Sequence, residues 1–67
     1  MKLATAEVIV ALAENCLSIS KAAKKIYKHR NTVVYQVEKI QRETGKNPLD
    51  FYDMLELLPI AKKVLEE

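Results

Sequence analysis

Gly45, Pro48 and Pro59 are the only glycine and prolines in this 67-residue chain, and that scarcity constrains the fold more than any other feature. Glycine and proline punctuate regular structure more strongly than any other residues, so the long stretches between them must be organised by side-chain periodicity. The periodicity is helical from end to end. Leu3, Val8, Leu12 and the small Ala11 and Ala13 recur near a 3.6-residue repeat, which predicts a first helix over 3–14 with Asn15 as its stop. Ser18 and Ser20 both suit an N-cap. Ser20 stands directly before Lys21–Tyr27, where Ala22, Ala23 and Ile26 share one face, so a short second helix is expected from Lys21. Lys28-His29-Arg30 interrupts the pattern before Val33, Val37, Ile40 and Thr44 form a single stripe. A third helix is therefore expected over 30–44, stopped by Gly45 and Pro48. A fourth begins near Leu49 or Asp50 with Phe51, Met54, Leu55 and Leu58 inward. Pro59 lacks a backbone donor and is expected to kink or end that helix and to open a fifth over 60–66. No strand pattern and no internal repeat is present.

The expected fold is one all-α domain, four to five helices around a shared core, because 67 residues cannot enclose two. A core of this size supplies only about 3–5 kcal/mol, and small domains commonly add a disulfide or a metal. Here Cys16 is the only cysteine and His29 the only histidine, so neither a disulfide nor a Cys/His zinc site can form within the chain. No metal or cofactor is expected. A lone thiol suits a reducing cytoplasm, and Cys16 is read as a small buried apolar residue. Val8–Ala13, the longest uncharged stretch near the start, is far shorter than the roughly 18 apolar residues of a membrane span, so no membrane association is expected.

Charge is distributed unevenly. The formal total is +2, yet residues 20–46 carry eight lysines and arginines against Glu38 and Glu43, a local +6, while the rest of the chain is net acidic. A cationic segment of that kind attracts phosphate-bearing polymers at long range and releases their condensed counterions on contact. The same segment contains both helices of a short helix, a tight turn and a longer second helix. That is the layout of a helix-turn-helix, in which the second helix enters the DNA major groove.

The run Ser20-Lys21-Ala22-Ala23-Lys24-Lys25-Ile26-Tyr27-Lys28-His29-Arg30-Asn31-Thr32-Val33, followed by Tyr35, Glu38-Lys39-Ile40 and Thr44-Gly45, closely resembles the C-terminal helix-turn-helix domain of PucR-type (purine catabolism regulator, CdaR-like) bacterial transcription factors. The resemblance extends from about Leu12 to Val64, with its helix-turn-helix unit near 20–45 and its C-terminal helices near 49–66. It implies a Fis-like tri-helical core, no wing, and sequence-specific binding of double-stranded DNA, usually as a homodimer. Gln36 stands where the family often has arginine, and Val34 where a basic or polar residue is common. LysR-type N-terminal domains share the Ala-Ala helix and recognition helix but continue into a wing, where this chain offers Asn47-Pro48-Leu49-Asp50-Phe51 and further helix.

With Val33, Val37, Ile40 and Thr44 inward, steps of about 100° per residue turn Asn31, Tyr35 and Arg42 outward, flanked by Thr32, Lys39 and Glu38. Asn31, Thr32 and Tyr35, with Arg30 reaching from the first turn, are the expected base readers: Asn can pair with an adenine edge, and Thr can meet a thymine methyl. Helix capping is the competing role for Asn31 and Thr32. Ser18, Ser20, Lys21, Lys28, His29, Gln36, Lys39 and Arg42 are the expected phosphate contacts, with His29 also a candidate cap. No catalytic residue is expected, because a general base needs an oriented partner and a substrate pocket, and His29 has neither in sequence. The apolar surplus from Phe51 to Leu65 is either a dimer interface or the completion of the monomer core. Val34, Gln36 and Glu38 motivate a second reading, a helical protein-interaction module without DNA contacts.

Overall fold

The computed structural model describes residues 1–66 as four helices: α1 (Leu3–Glu14), α2 (Ile19–Lys25), α3 (Arg30–Thr44) and α4 (Phe51–Glu66). Among the described residues there is no strand, and so no wing.

α1 is the hub. It packs against α2, α3 and, most extensively, α4, while α3 otherwise leans only on α2. A helix touched on three sides must be apolar over most of its circumference. Thr5, Ala6, Val8, Ile9, Ala11 and Leu12 are accordingly all buried. The expected stripe through Leu3 is corrected by this environment: Leu3 lies at the exposed N-terminal end, and Ile9 and Thr5 take the central places. Between α1 and α2 the chain turns by 119°. Asn15 caps α1 as expected, its side-chain Nδ2 donating to the Ala11 carbonyl at 2.7 Å. Cys16 follows in the left-handed region (φ 56) and is exposed, not buried as expected. The backbone there closes a helix terminus, with the Leu17 amide donating to Leu12 O at 2.8 Å, and this geometry turns the thiol away from the core.

α2 begins two residues earlier than the sequence predicts. Ser18, not Ser20, is its N-cap, with Oγ accepting from the Lys21 amide at 3.3 Å. The earlier start lets half-buried Ile19 pack against the core and leaves Ser20 exposed in the first turn. Ala22 and Ala23 are buried where α2 meets its neighbours, and with only a methyl each they permit close approach.

On α3, Val33, Val37 and Ile40 form the buried stripe. Thr44, expected inward, is exposed: its Oγ1 donates back to the Ile40 carbonyl at 2.7 Å and accepts from the Lys46 amide at 3.1 Å. This polar role closes the helix, and Gly45 follows as its left-handed cap (φ 74).

α4 runs through Pro59 as a single 16-residue helix, so the expected fifth helix does not exist. Proline removes the bond to the carbonyl four residues back, that of Leu55. Both residues are exposed, so water can solvate that carbonyl, and the segments on either side are held to the core by Met54, Leu57 and Ala61. Met54 is buried as expected, while Leu57 and Ala61 take the inward places expected of Phe51 and Leu55. Phe51 and Leu55 are exposed, and Leu58 is only half-buried. Before α4, Asn47, Asp50 and Asp53 build a polar turn: Asp50 Oδ2 accepts from the Asp53 amide, Asp53 Oδ2 from the Asn47 amide, and Asn47 Oδ1 from the Leu49 amide, all at 2.9–3.0 Å. Fully buried Pro48 sits within this turn.

Candidate nucleic-acid interface

The exposed face of α3 follows from its buried one. Asn31, Thr32, Tyr35, Glu38 and Arg42 are all exposed, and Lys39 is half-buried. Measured from the centre of the Val33–Val37–Ile40 stripe, Tyr35 and Arg42 lie nearly opposite, with Asn31 within about one residue step of them. Arg30 is exposed but lies well around the helix from Tyr35, and reaches that side only through its long side chain from the first turn. None of these side chains is a hydrogen-bond donor or acceptor within the described residues, so the face is uncommitted to the fold.

His29 caps α3. Its Nδ1 accepts from the Asn31 amide at 3.0 Å, which makes this nitrogen unprotonated and leaves Nε2–H as the outward donor. Asn31 and Thr32 are therefore not the caps; both side chains are free. The Thr32 and Val33 amides are taken by the His29 carbonyl.

Lys21, Lys24, Lys25 and Lys28 are exposed along α2 and the turn, with Ser20 beside them. Ser18 spends its hydroxyl on the cap. Gln36 is placed differently from the expected phosphate contact. It is half-buried, and its Oε1 accepts the hydroxyl proton of buried Thr5 at 3.0 Å, tying α3 to α1. The reason is angular: Gln36 is closer to the inward stripe than to Tyr35 on the helical wheel. Lys46 is likewise engaged, its Nζ 2.8 Å from Glu56 Oε2. The hydrogen bond to Glu56 and then the Glu56 charge raise its pKa above the ordinary 10.5, with Asp53 adding to the rise.

The turn contains a residue that sequence reasoning placed inside the second helix. Tyr27 occupies the left-handed region (φ 56) just beyond the Ile26 cap. The Lys28 amide donates to Ala23 O at 2.9 Å and the Tyr27 amide to Lys24 O at 3.3 Å, the bond pattern of a Schellman terminus in which glycine is the usual occupant. A side chain with a β-carbon costs about 1–2 kcal/mol there, and Tyr27 as a residue is 94% exposed. The signal available in sequence was the break at Lys28-His29-Arg30, which requires a helix terminus just before it.

The model of the PucR C-terminal helix-turn-helix domain matches residues 5–58. The purine catabolism regulatory protein of Bacillus subtilis (strain 168) is 46% identical over 41 residues, a segment covering 61% of this chain and 8% of that protein. The chain thus spans a small part of that relative's length. No solved structure matches the chain.

Proposed function

This chain belongs to the PucR C-terminal helix-turn-helix domain family, and on that premise we propose that it is the sequence-specific DNA-binding unit of a bacterial transcription regulator, with α3 entering the major groove. The observation that carries the reading is the uncommitted face of α3, where Asn31, Thr32, Tyr35 and Arg42 are exposed and make no contact the fold needs. Asn31, Thr32 and Tyr35 read base edges, with Arg30 reaching in from the first turn. Lys21, Lys28, Lys39 and Arg42 hold phosphates, joined by Ser20 and by His29 through Nε2–H. Ser18 and Gln36 serve the fold: one caps α2, and the other bonds α1.

The test compares a preferred duplex, obtained by selection from random sequence, with a scrambled one. Tyr35→Ala and Asn31→Ala should each cost about 1–3 kcal/mol on the preferred duplex and less on the scrambled one. Lys28→Ala should weaken both alike and lower the salt slope by about one. Equal losses on both duplexes for Tyr35→Ala and Asn31→Ala would reassign these residues to phosphate or packing roles.

We further propose that the domain acts as a homodimer, since two-fold pairing sets two recognition helices about one DNA turn apart. Support comes from Phe51 and Leu55, which are exposed and, with Leu58, Leu17 and Cys16, line an apolar groove between the end of α1 and the start of α4. Sedimentation of the unaltered chain and of Leu55→Glu tests it. A dimer that dissociates on substitution agrees with the proposal, and a monomeric unaltered chain at high concentration contradicts it.

A further inference from the structure

The turn of the helix-turn-helix holds an aromatic residue that the fold does not use. Tyr27 is the most exposed large apolar residue of the domain, at 94%. Among the described residues its hydroxyl has no hydrogen-bond partner and its ring no aromatic neighbour. Its backbone is held left-handed at φ 56, a conformation that glycine adopts freely and a bulky residue resists. The structure therefore carries both strain and unburied ring surface at one position, with nothing returned in packing.

The surroundings indicate what such a side chain meets. Tyr27 borders a shallow hollow whose other walls are Asn15, Lys21, Lys24 and Lys25, and Lys28 and His29 follow it in the chain towards α3. A phenol at the rim of a hollow walled by three lysines is suited to a polyanion: the ring can lie against a sugar, and the hydroxyl can donate to a phosphate oxygen. Tyrosine hydroxyls are among the usual phosphate-contacting groups of DNA-binding proteins. We propose that Tyr27 is a positioning contact to DNA, its hydroxyl donating to a backbone phosphate beside the groove that α3 enters. The contact fixes the register of the turn on the duplex and carries no sequence information itself. This rests on the DNA-binding reading above and adds to it a residue outside the α3 face.

The experiment uses the whole chain, a fluorescent random-sequence duplex of about 25 base pairs at low salt, and the variants Tyr27→Gly and Tyr27→Phe. Tyr27→Gly should raise the melting temperature by relieving the left-handed strain and yet bind DNA roughly fivefold to tenfold more weakly. Stability and affinity then move in opposite directions, which a structural role cannot produce. Tyr27→Phe keeps the ring and the strain and should lose affinity by a similar factor, because the hydroxyl is the donor. In both variants the salt slope should match that of the unaltered chain, since no charge is removed, whereas Lys28→Ala lowers it by about one. Unchanged affinity for Tyr27→Gly overturns the assignment, as does a parallel loss of stability and affinity. Full affinity for Tyr27→Phe overturns the hydroxyl contact. Absence of binding by the unaltered chain would instead remove the DNA-binding reading, and this proposal with it.

Discussion

Replacing His29 separates the two tasks assigned to it. The bond from the Asn31 amide to Nδ1, 3.0 Å long, satisfies one of the donors that an α-helix leaves free at its N-terminus. Its loss in His29→Ala should cost about 1 kcal/mol, the usual size of an N-cap. That is a substantial share of the roughly 3–10 kcal/mol expected for a domain of this length, and it should lower the melting temperature by about 4–8 °C. His29→Ser supplies a cap of its own kind and should restore most of the stability. It offers no donor at the distance of Nε2, so DNA affinity should stay reduced in both variants. Thermal unfolding followed by circular dichroism gives the first quantity, and fluorescence anisotropy with duplex DNA the second. If His29→Ala melts with the unaltered chain, the cap contributes nothing to α3. If His29→Ser recovers both stability and affinity, His29 acts only through the helix and its phosphate contact does not exist.

Pro59→Ala should stabilise the domain, because α4 already passes through this position and alanine restores the bond to Leu55 O without the ring; a lower urea midpoint would show that Pro59 shapes the helix usefully. Gly45→Ala should destabilise by about 1 kcal/mol through its backbone alone, since a β-carbon there meets nothing within 4 Å while φ is 74; a neutral urea midpoint would refute that cause. The Lys46–Glu56 pair should contribute fully below pH 10.5, because the folded Lys46 pKa lies above that ordinary value, and its contribution should vanish as pH rises through the folded value. Alkaline unfolding curves of the unaltered chain and Glu56→Gln should therefore converge at high pH, and a constant gap would contradict the pairing.

The helical class, the spans of α1 and α3 and the buried stripe Val33, Val37 and Ile40 were legible because each depends on local periodicity. So was the resemblance, carried by the contiguous run from Ser20 to Val33. What escaped depended on neighbours. Ile9 and Thr5 are central because α1 touches three helices, a fact absent from its own repeat. Phe51 and Leu55 read as inward until the whole of α4, unbroken at Pro59, sets its face by Met54, Leu57 and Ala61. Ser18 and Ser20 are equivalent as caps, and only the packing of Ile19 chooses between them. Gln36 reads as a phosphate contact from its polarity, although the helical wheel turns it towards the inward stripe; its partner, the Thr5 hydroxyl 31 positions earlier, lies on another helix and is out of reach of local sequence. Tyr27 was missed because the break at Lys28-His29-Arg30 places a terminus nearby without saying which residue takes its left-handed position.

The account stands most directly on the salt dependence of binding to duplex DNA. With about four phosphates neutralised by Lys21, Lys28, Lys39 and Arg42, log K should fall with log salt at a slope of about −4. Tight binding at low salt that declines with that slope agrees with α3 as a groove-entering helix held by flanking lysines. No binding at low salt, or affinity indifferent to salt, would contradict it.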